Sequence, residues 1–215
     1  MRRAPDRFFI RRRLVLGIAA TPLALAGPAL AAKPRVVTIL GDSITAGLGL
    51  PAAQALPAQL SLALGKLGVP ATVRGAGVSG DTSGDGLERL NFSVQSDTDV
   101  CVVALSGNDL LQGLDPKTTL ANLSGIVRRL QARRVSVVLA GIAAPRAVGA
   151  GYARDFNAVF PQVARAYHAP LYPDLMAGVG PALRQGDGLH PNAAGVKAMV
   201  AGLAPLVVRA LRSRK

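Results

Sequence analysis

The sequence is poor in the residues that staple, stack and bind metals. Of 215 residues one is cysteine, none is tryptophan and two are histidine. A lone cysteine excludes an internal disulfide in any compartment. Cys101 sits in the apolar run VCVVAL and reads as a small hydrophobe on a buried strand. His168 and His190 have no Cys/His cluster around them, so there is no zinc-type signature and no metal is expected. Aromatic residues make up 4%, too few for the stacking platforms that bind single-stranded nucleic acid, and no nucleic-acid partner is expected. Acidic residues are scarce as well: 12 stand against 25 Lys and Arg, for a formal net charge of +13.

Part of that charge belongs to the amino terminus. MRRAPDRFFIRRR is basic, LVLGIAATPLALAG is apolar, and Ala29-Leu30-Ala31 fits a small-x-small cleavage site. Residues 1–31 therefore read as a signal peptide, and the expected location is periplasmic or secreted. Pro22 and Pro28 interrupt the apolar stretch, which falls short of the ~20 residues of a membrane span. Arg12-Arg13 permits a twin-arginine route beside the general secretory one. The leader carries six arginines and one aspartate, so residues 32–215 alone fall from +13 to +8. Their basic residues are scattered, on helix faces (Arg128, Arg129, Arg133, Arg134) or near the tail (Arg209, Arg212). They read as solvated surface with some affinity for an anionic membrane surface.

From Pro34 onward short apolar runs alternate with stretches of helical period. Strands are expected at Val36–Leu40, Ala71–Arg74, Val100–Leu105, Val135–Ile142 and Pro170–Tyr172. Between them Leu56, Leu60, Leu64 and Leu67 recur at helical spacing, and later helices are expected over Thr119–Gln131, Tyr152–Tyr167 and Asn192–Arg212. Apolar strands separated by helices imply one α/β domain, a parallel sheet of about five strands between two helical layers. In such a sheet, ligands bind beyond the carboxyl ends of the strands. Polar, glycine-rich loops follow those ends here: GDSITAG, GAGVSGDTSGDG, SGND and AAPRAVGAG.

Gly75, Gly77 and Gly80 spell G-x-G-x-x-G, the form of a dinucleotide fingerprint. Arg74 before it and SGDTS after it make a poor start for the packed helix that motif needs, so no nucleotide cofactor is expected. Ser43, just after the first strand, has as its bland reading a βα turn in which it caps a helix. Gly47 and Gly49 are expected to keep that turn loose. A serine hydroxyl needs a neighbouring base to act as nucleophile, and DGLHPN supplies one: His190, with Asp187 three residues earlier to fix its tautomer. His168, in AYHAP, lacks such neighbours and reads as structural. Acyl transfer also needs donors for a developing oxyanion. The Ser43 N–H, the backbone of Gly80 and the side-chain amide of Asn108 are the candidates, while Asp81 and Asp109 are expected to brace their loops. Leu48, Leu50, Leu110, Leu111, Leu114, Ala143, Ala144 and Val148 offer candidate walls for an acyl chain.

Taken together, GDSITAG, VSGDTS, SGND and DGLHPN resemble the four blocks of the SGNH (GDSL-type) hydrolase superfamily. Within it the chain is most similar to the exported bacterial thioesterase I/lysophospholipase and arylesterase group, which SGDTSGDGLERL and YARDFNAVFPQVARAY also resemble. The resemblance runs from about Val36 to Pro205. It implies a flavodoxin-like three-layer sandwich and a Ser43–His190–Asp187 triad. It also implies an oxyanion site of Ser43, Gly80 and Asn108, and hydrolysis of small-molecule or lipid esters through an acyl-enzyme, without cofactor. Carbohydrate O-deacetylation and a non-catalytic carbohydrate- or lipid-binding role on the same fold are the alternatives. The third block departs from the group, which usually has two glycines where this chain has Ser106-Gly107, and the loop is expected to shift.

Overall fold

The computed structural model describes residues 34–213; the signal peptide expected at residues 1–31 lies outside them. The five apolar runs become β1 (Arg35–Gly41), β2 (Ala71–Gly77), β3 (Val100–Ala104), β4 (Ser136–Ala140) and β5 (Leu171–Tyr172). All pair in parallel, in the order β2-β1-β3-β4-β5. This is the flavodoxin-like order of a doubly wound sheet. Four long helices return the chain to the starting edge: α2 (Leu56–Lys66), α6 (Pro116–Ala132), α7 (Ala150–Tyr167) and α8 (Ala193–Ser213). Two short ones, α1 (Ser43–Ala46) and α5 (Gly107–Leu111), sit in the loops beyond β1 and β3, and two more, α3 (Ser83–Glu88) and α4 (Leu90–Ser93), make the crossover from β2 to β3.

Strand side chains alternate between two cores, which is why both helical layers can be apolar on their inner faces. Val37, Ile39, Val102 and Val138 pack with α2 and α8; Leu40, Cys101, Val103 and Leu139 pack with α6 and α7. Leu56, Leu60 and Leu64 of α2 are fully buried, each contributing about 1.5–3 kcal/mol of transfer free energy. Leu67, expected to continue that stripe, instead caps the helix and is 46% exposed. Burial pushes the Cys101 thiol up to about 12, so it stays an inert core residue. By length and composition α8 could cross a membrane, yet Val196, Met199, Leu203 and Val207 place it in the core.

β2 is longer than its sequence suggested. It pairs with β1 over all seven residues, through Gly75 and Gly77 of the dinucleotide-like motif. A Cβ on Gly77 would lie 2.3 Å from the Ala46 amide nitrogen and 2.6 Å from the Asp42 carbonyl oxygen. That glycine lets α1 press its backbone onto the end of β2. The packing of α1 accounts for it without any phosphate.

Candidate active site

β1 ends at Gly41, and Asp42 caps α1 by accepting the Ile44 N–H at 3.0 Å. Ser43 is thus the first residue of a one-turn helix, with the cap made by its neighbour and its own hydroxyl left for another partner. Gly47 ends the helix in the left-handed region (φ 75°), and its N–H bonds back to the Ser43 and Ile44 carbonyls. For Gly47 the expectation of a loosened turn is therefore corrected: it tightens the turn by closing the helix in a left-handed cap.

The partner of the hydroxyl comes from the loop before α8. Ser43 Oγ lies 2.8 Å from His190 Nε2, and His190 Nδ1 lies 2.7 Å from Asp187 Oδ2. The other oxygen of Asp187 accepts the backbone N–H groups of Leu189 (2.8 Å) and His190 (3.0 Å). Its bond to the imidazole, with those two amides, holds the carboxyl down at about 2. Gln185 ties this loop across to the first: its amide donates to the Leu48 carbonyl at 2.8 Å and to the Pro191 carbonyl at 2.9 Å. Nothing in the sequence marked Gln185, because its partner Leu48 lies 137 positions away.

Gly80 sits at φ 91° with open space where a Cβ would go. Its backbone conformation, rather than a close neighbour, calls for glycine. Asn108 lies in α5, and its side-chain amide donates to the Asp81 carbonyl at 2.8 Å. An amide has a second N–H beyond that bond, and Asn108 is among the residues that line the cavity. Both loops are braced as expected. Asp109 is fully buried and accepts Ser83 N–H (2.7 Å), Ser83 Oγ (2.5 Å) and Thr119 Oγ1 (2.9 Å). Asp81 pairs with Arg89 at 2.5 Å. Ser106, where the resembling group has glycine, adopts φ 90° and is fully buried, so the serine takes a left-handed backbone at this bend.

Arg89 is the second residue sequence reading passed over. It stands between α3 and α4 and donates to the Gly41 carbonyl (2.8 Å), the Ala76 carbonyl (3.0 Å) and Ser93 Oγ (2.8 Å) as well as to Asp81. One planar guanidinium thus joins the ends of β1 and β2 to the loop that carries Gly80. His168, read as structural, is an exposed left-handed cap at the end of α7.

Ser43, Asn108 and His190 open onto a cavity of about 520 Å³ whose walls include Leu110, Leu111, Ile142, Ala143, Val148 and Met176. Four of the expected wall residues, Leu48, Leu50, Leu114 and Ala144, do not line it: Leu48 is 48% exposed, and Ala144 is buried in the core. Asp42 borders the cavity from below, and burial raises its carboxyl to about 6. Among the described residues no three His, Cys, Asp or Glu side chains come together as metal ligands would. What the site assembles is a hydroxyl on an imidazole, a carboxylate on the far ring nitrogen, and an amide donor across an apolar cleft. That is the equipment for moving a proton off an oxygen nucleophile beside a bound acyl group.

A model of the GDSL-like Lipase/Acylhydrolase family matches residues 24–198. Esterase TesA of Pseudomonas aeruginosa is 36% identical over 163 residues, covering 74% of this chain and 81% of that protein. Thioesterase 1/protease 1/lysophospholipase L1 of Escherichia coli K12 is 36% identical over 165 residues, 75% of this chain and 78% of that one. Among solved structures, AlinE4, an SGNH-hydrolase family esterase, superimposes with a TM-score of 0.71 at 40% identity, over 84% of this chain and 98% of its own. The chain therefore belongs to the GDSL-like lipase/acylhydrolase family, the SGNH hydrolases, and is a carboxylic ester hydrolase.

Proposed function

We propose that the protein is an exported serine esterase that cleaves aryl and acyl esters, and acyl thioesters or lysophospholipids, through an acyl-enzyme. The observation that carries this reading is the continuous chain Ser43 Oγ to His190 Nε2 (2.8 Å) and His190 Nδ1 to Asp187 (2.7 Å). His190 Nε2 takes the hydroxyl proton as Ser43 Oγ attacks the acyl carbon. The carbonyl oxygen becomes an oxyanion, met by the Ser43 and Gly80 backbone N–H groups and the Asn108 amide. Collapse of the tetrahedral intermediate breaks the bond to the leaving oxygen or sulfur, which receives the proton from His190. Water then repeats the sequence on the acyl-serine, and Ser43 is restored. Asp187 stays ionised throughout and stabilises the imidazolium.

Apolar walls without aromatic bulk suit acyl chains, and the names of the relatives (esterase, thioesterase, lysophospholipase) span the leaving groups proposed here. Export rests on the basic-apolar-small pattern of residues 1–31. The test is stoichiometric labelling by a fluorophosphonate probe, measured by intact mass, with p-nitrophenyl ester turnover beside it. Ser43→Ala is expected to lose labelling and to lower kcat about 10⁶-fold. Asp187→Asn is expected to lower kcat about 10⁴-fold with KM kept, a smaller loss because the imidazole remains. Labelling of folded Ser43→Ala at the wild-type rate would refute the assignment.

A further inference from the structure

The topology sorts the charges of this molecule, and the sorting extends beyond the active site. Because every strand is parallel, α2, α6, α7 and α8 all run back and end at the amino edge of the sheet, opposite the cavity. Each ends on a basic last turn, containing Lys66, Arg129, Arg165 and Arg212 respectively. Arg128 and Arg209 stand beside two of these, and all six side chains are exposed. One cation per helix end is what complementing a helix dipole would ask. Here two ends are doubled, and the four helices together hold a single acidic residue, Asp155, in the first third of α7. The acidic side chains at this edge, Asp97 and Asp99 before β3, already bind Arg74 and the Arg35–Val36 corner. Most of the other carboxylates, among them Asp42, Asp81, Asp109, Asp115 and Asp187, lie in the loops at the cavity edge.

We infer that this basic pole docks on an anionic phospholipid surface, with the ester-binding cavity turned away from the bilayer toward water. Long, exposed Lys and Arg side chains spread over the ends of two helical layers match a plane of headgroup charge, each adding about fivefold to partition near the surface. Helices presented end-on cannot lie along a nucleic-acid groove. The six residues also bring no aromatic platform for stacked bases. The contact therefore deepens the membrane affinity read from composition into a definite face and orientation, and it is independent of the catalytic proposal because partition is measured without turnover.

The experiment is sedimentation of the purified protein, with its natural amino terminus, against vesicles of phosphatidylglycerol and of phosphatidylcholine. Binding is expected to phosphatidylglycerol alone at low salt, and to be lost as salt screens it. The pole triple Arg128→Gln, Arg129→Gln, Arg165→Gln should weaken partition on the order of 100-fold. The charge-matched triple at the cavity edge, Lys117→Gln, Arg146→Gln, Lys197→Gln, should change it by less than about threefold. Esterase activity of the pole triple in solution should equal the wild type, which verifies its folding. Vesicle-bound wild type should turn over a water-soluble ester at its free rate. Equal weakening by the two triples, absence of vesicle binding, preference for duplex DNA of equal charge, or loss of turnover on binding would each overturn the inference.

Discussion

At the scale of single residues, the site mixes groups whose roles are marked in the sequence with one whose state is set by burial. Asp42 caps α1 whichever proton it carries, yet it is 5% exposed and its carboxyl is raised to about 6, chiefly by desolvation. The facing charges partly offset each other: His190 lowers it and Asp81 raises it. A carboxyl held above its unfolded value of ~3.9 keeps its proton in the folded chain where the unfolded chain has lost it. Its contribution to stability is therefore complete below about pH 4 and is lost as pH rises through about 6, a change of about 3 kcal/mol. Asp42→Asn keeps the oxygen that accepts Ile44 N–H and removes the titration. Urea unfolding from pH 4 to 7 should show the variant gaining on the wild type by about that amount, mostly between pH 4 and 6. A constant difference across that range would mean the carboxyl ionises as freely folded as unfolded.

At the scale of elements, the strands and the long helices were legible and the one-turn helices were not. Runs such as VVTIL and stripes such as Leu56, Leu60 and Leu64 carry a period, and they became β1 and α2 within one or two residues. α1, α3, α4 and α5 have four to six residues each, too few to display 3.6-residue periodicity, and they form because loops between packed strands have space for one turn. β2 ran past Arg74 because pairing with β1 outweighs the low strand propensity of glycine. The residues proposed for chemistry were visible because their motifs are local, whereas Gln185 and Arg89 act across long separations on backbone carbonyls that any residue provides. Arg89 tests how far such a hub matters. Arg89→Lys keeps a charge for Asp81 but cannot reach both the Gly41 and Ala76 carbonyls, since a single ammonium lacks the planar fork. The expected result is a loss of about 1–3 kcal/mol in urea unfolding. With it, kcat should fall about tenfold at a KM within twofold, because the loops carrying Ser43 and Gly80 lose their common anchor. Unchanged kcat would show that those loops hold their own positions.

At the scale of the whole molecule, a cleft of aliphatic walls sets the breadth of substrates. Leu110, Leu111, Ile142 and Met176 line it with aliphatic surface and no shape that would reject one acyl length sharply, and each methylene is worth about 1–3 kcal/mol at most. Across p-nitrophenyl esters of increasing chain length, kcat/KM should change in graded steps and be indifferent to EDTA. Activity confined to acetyl esters would point to a deacetylase instead. The same architecture also fixes when activity can begin. The Ser43–His190 hydrogen bond closes over 147 residues, and the loops with Gly80 and Asn108 fall between its ends. At synthesis rates of about 5–20 residues per second, Ser43 leaves the ribosome roughly 7–30 s before His190, the base proposed to activate it. The loop with Asp187 and His190 then waits for α8, whose apolar face completes one side of the sheet. Under the proposed mechanism, every truncated or stalled chain that stops short of this loop carries the serine but no base, so it makes no acyl-enzyme inside the cell that is making it.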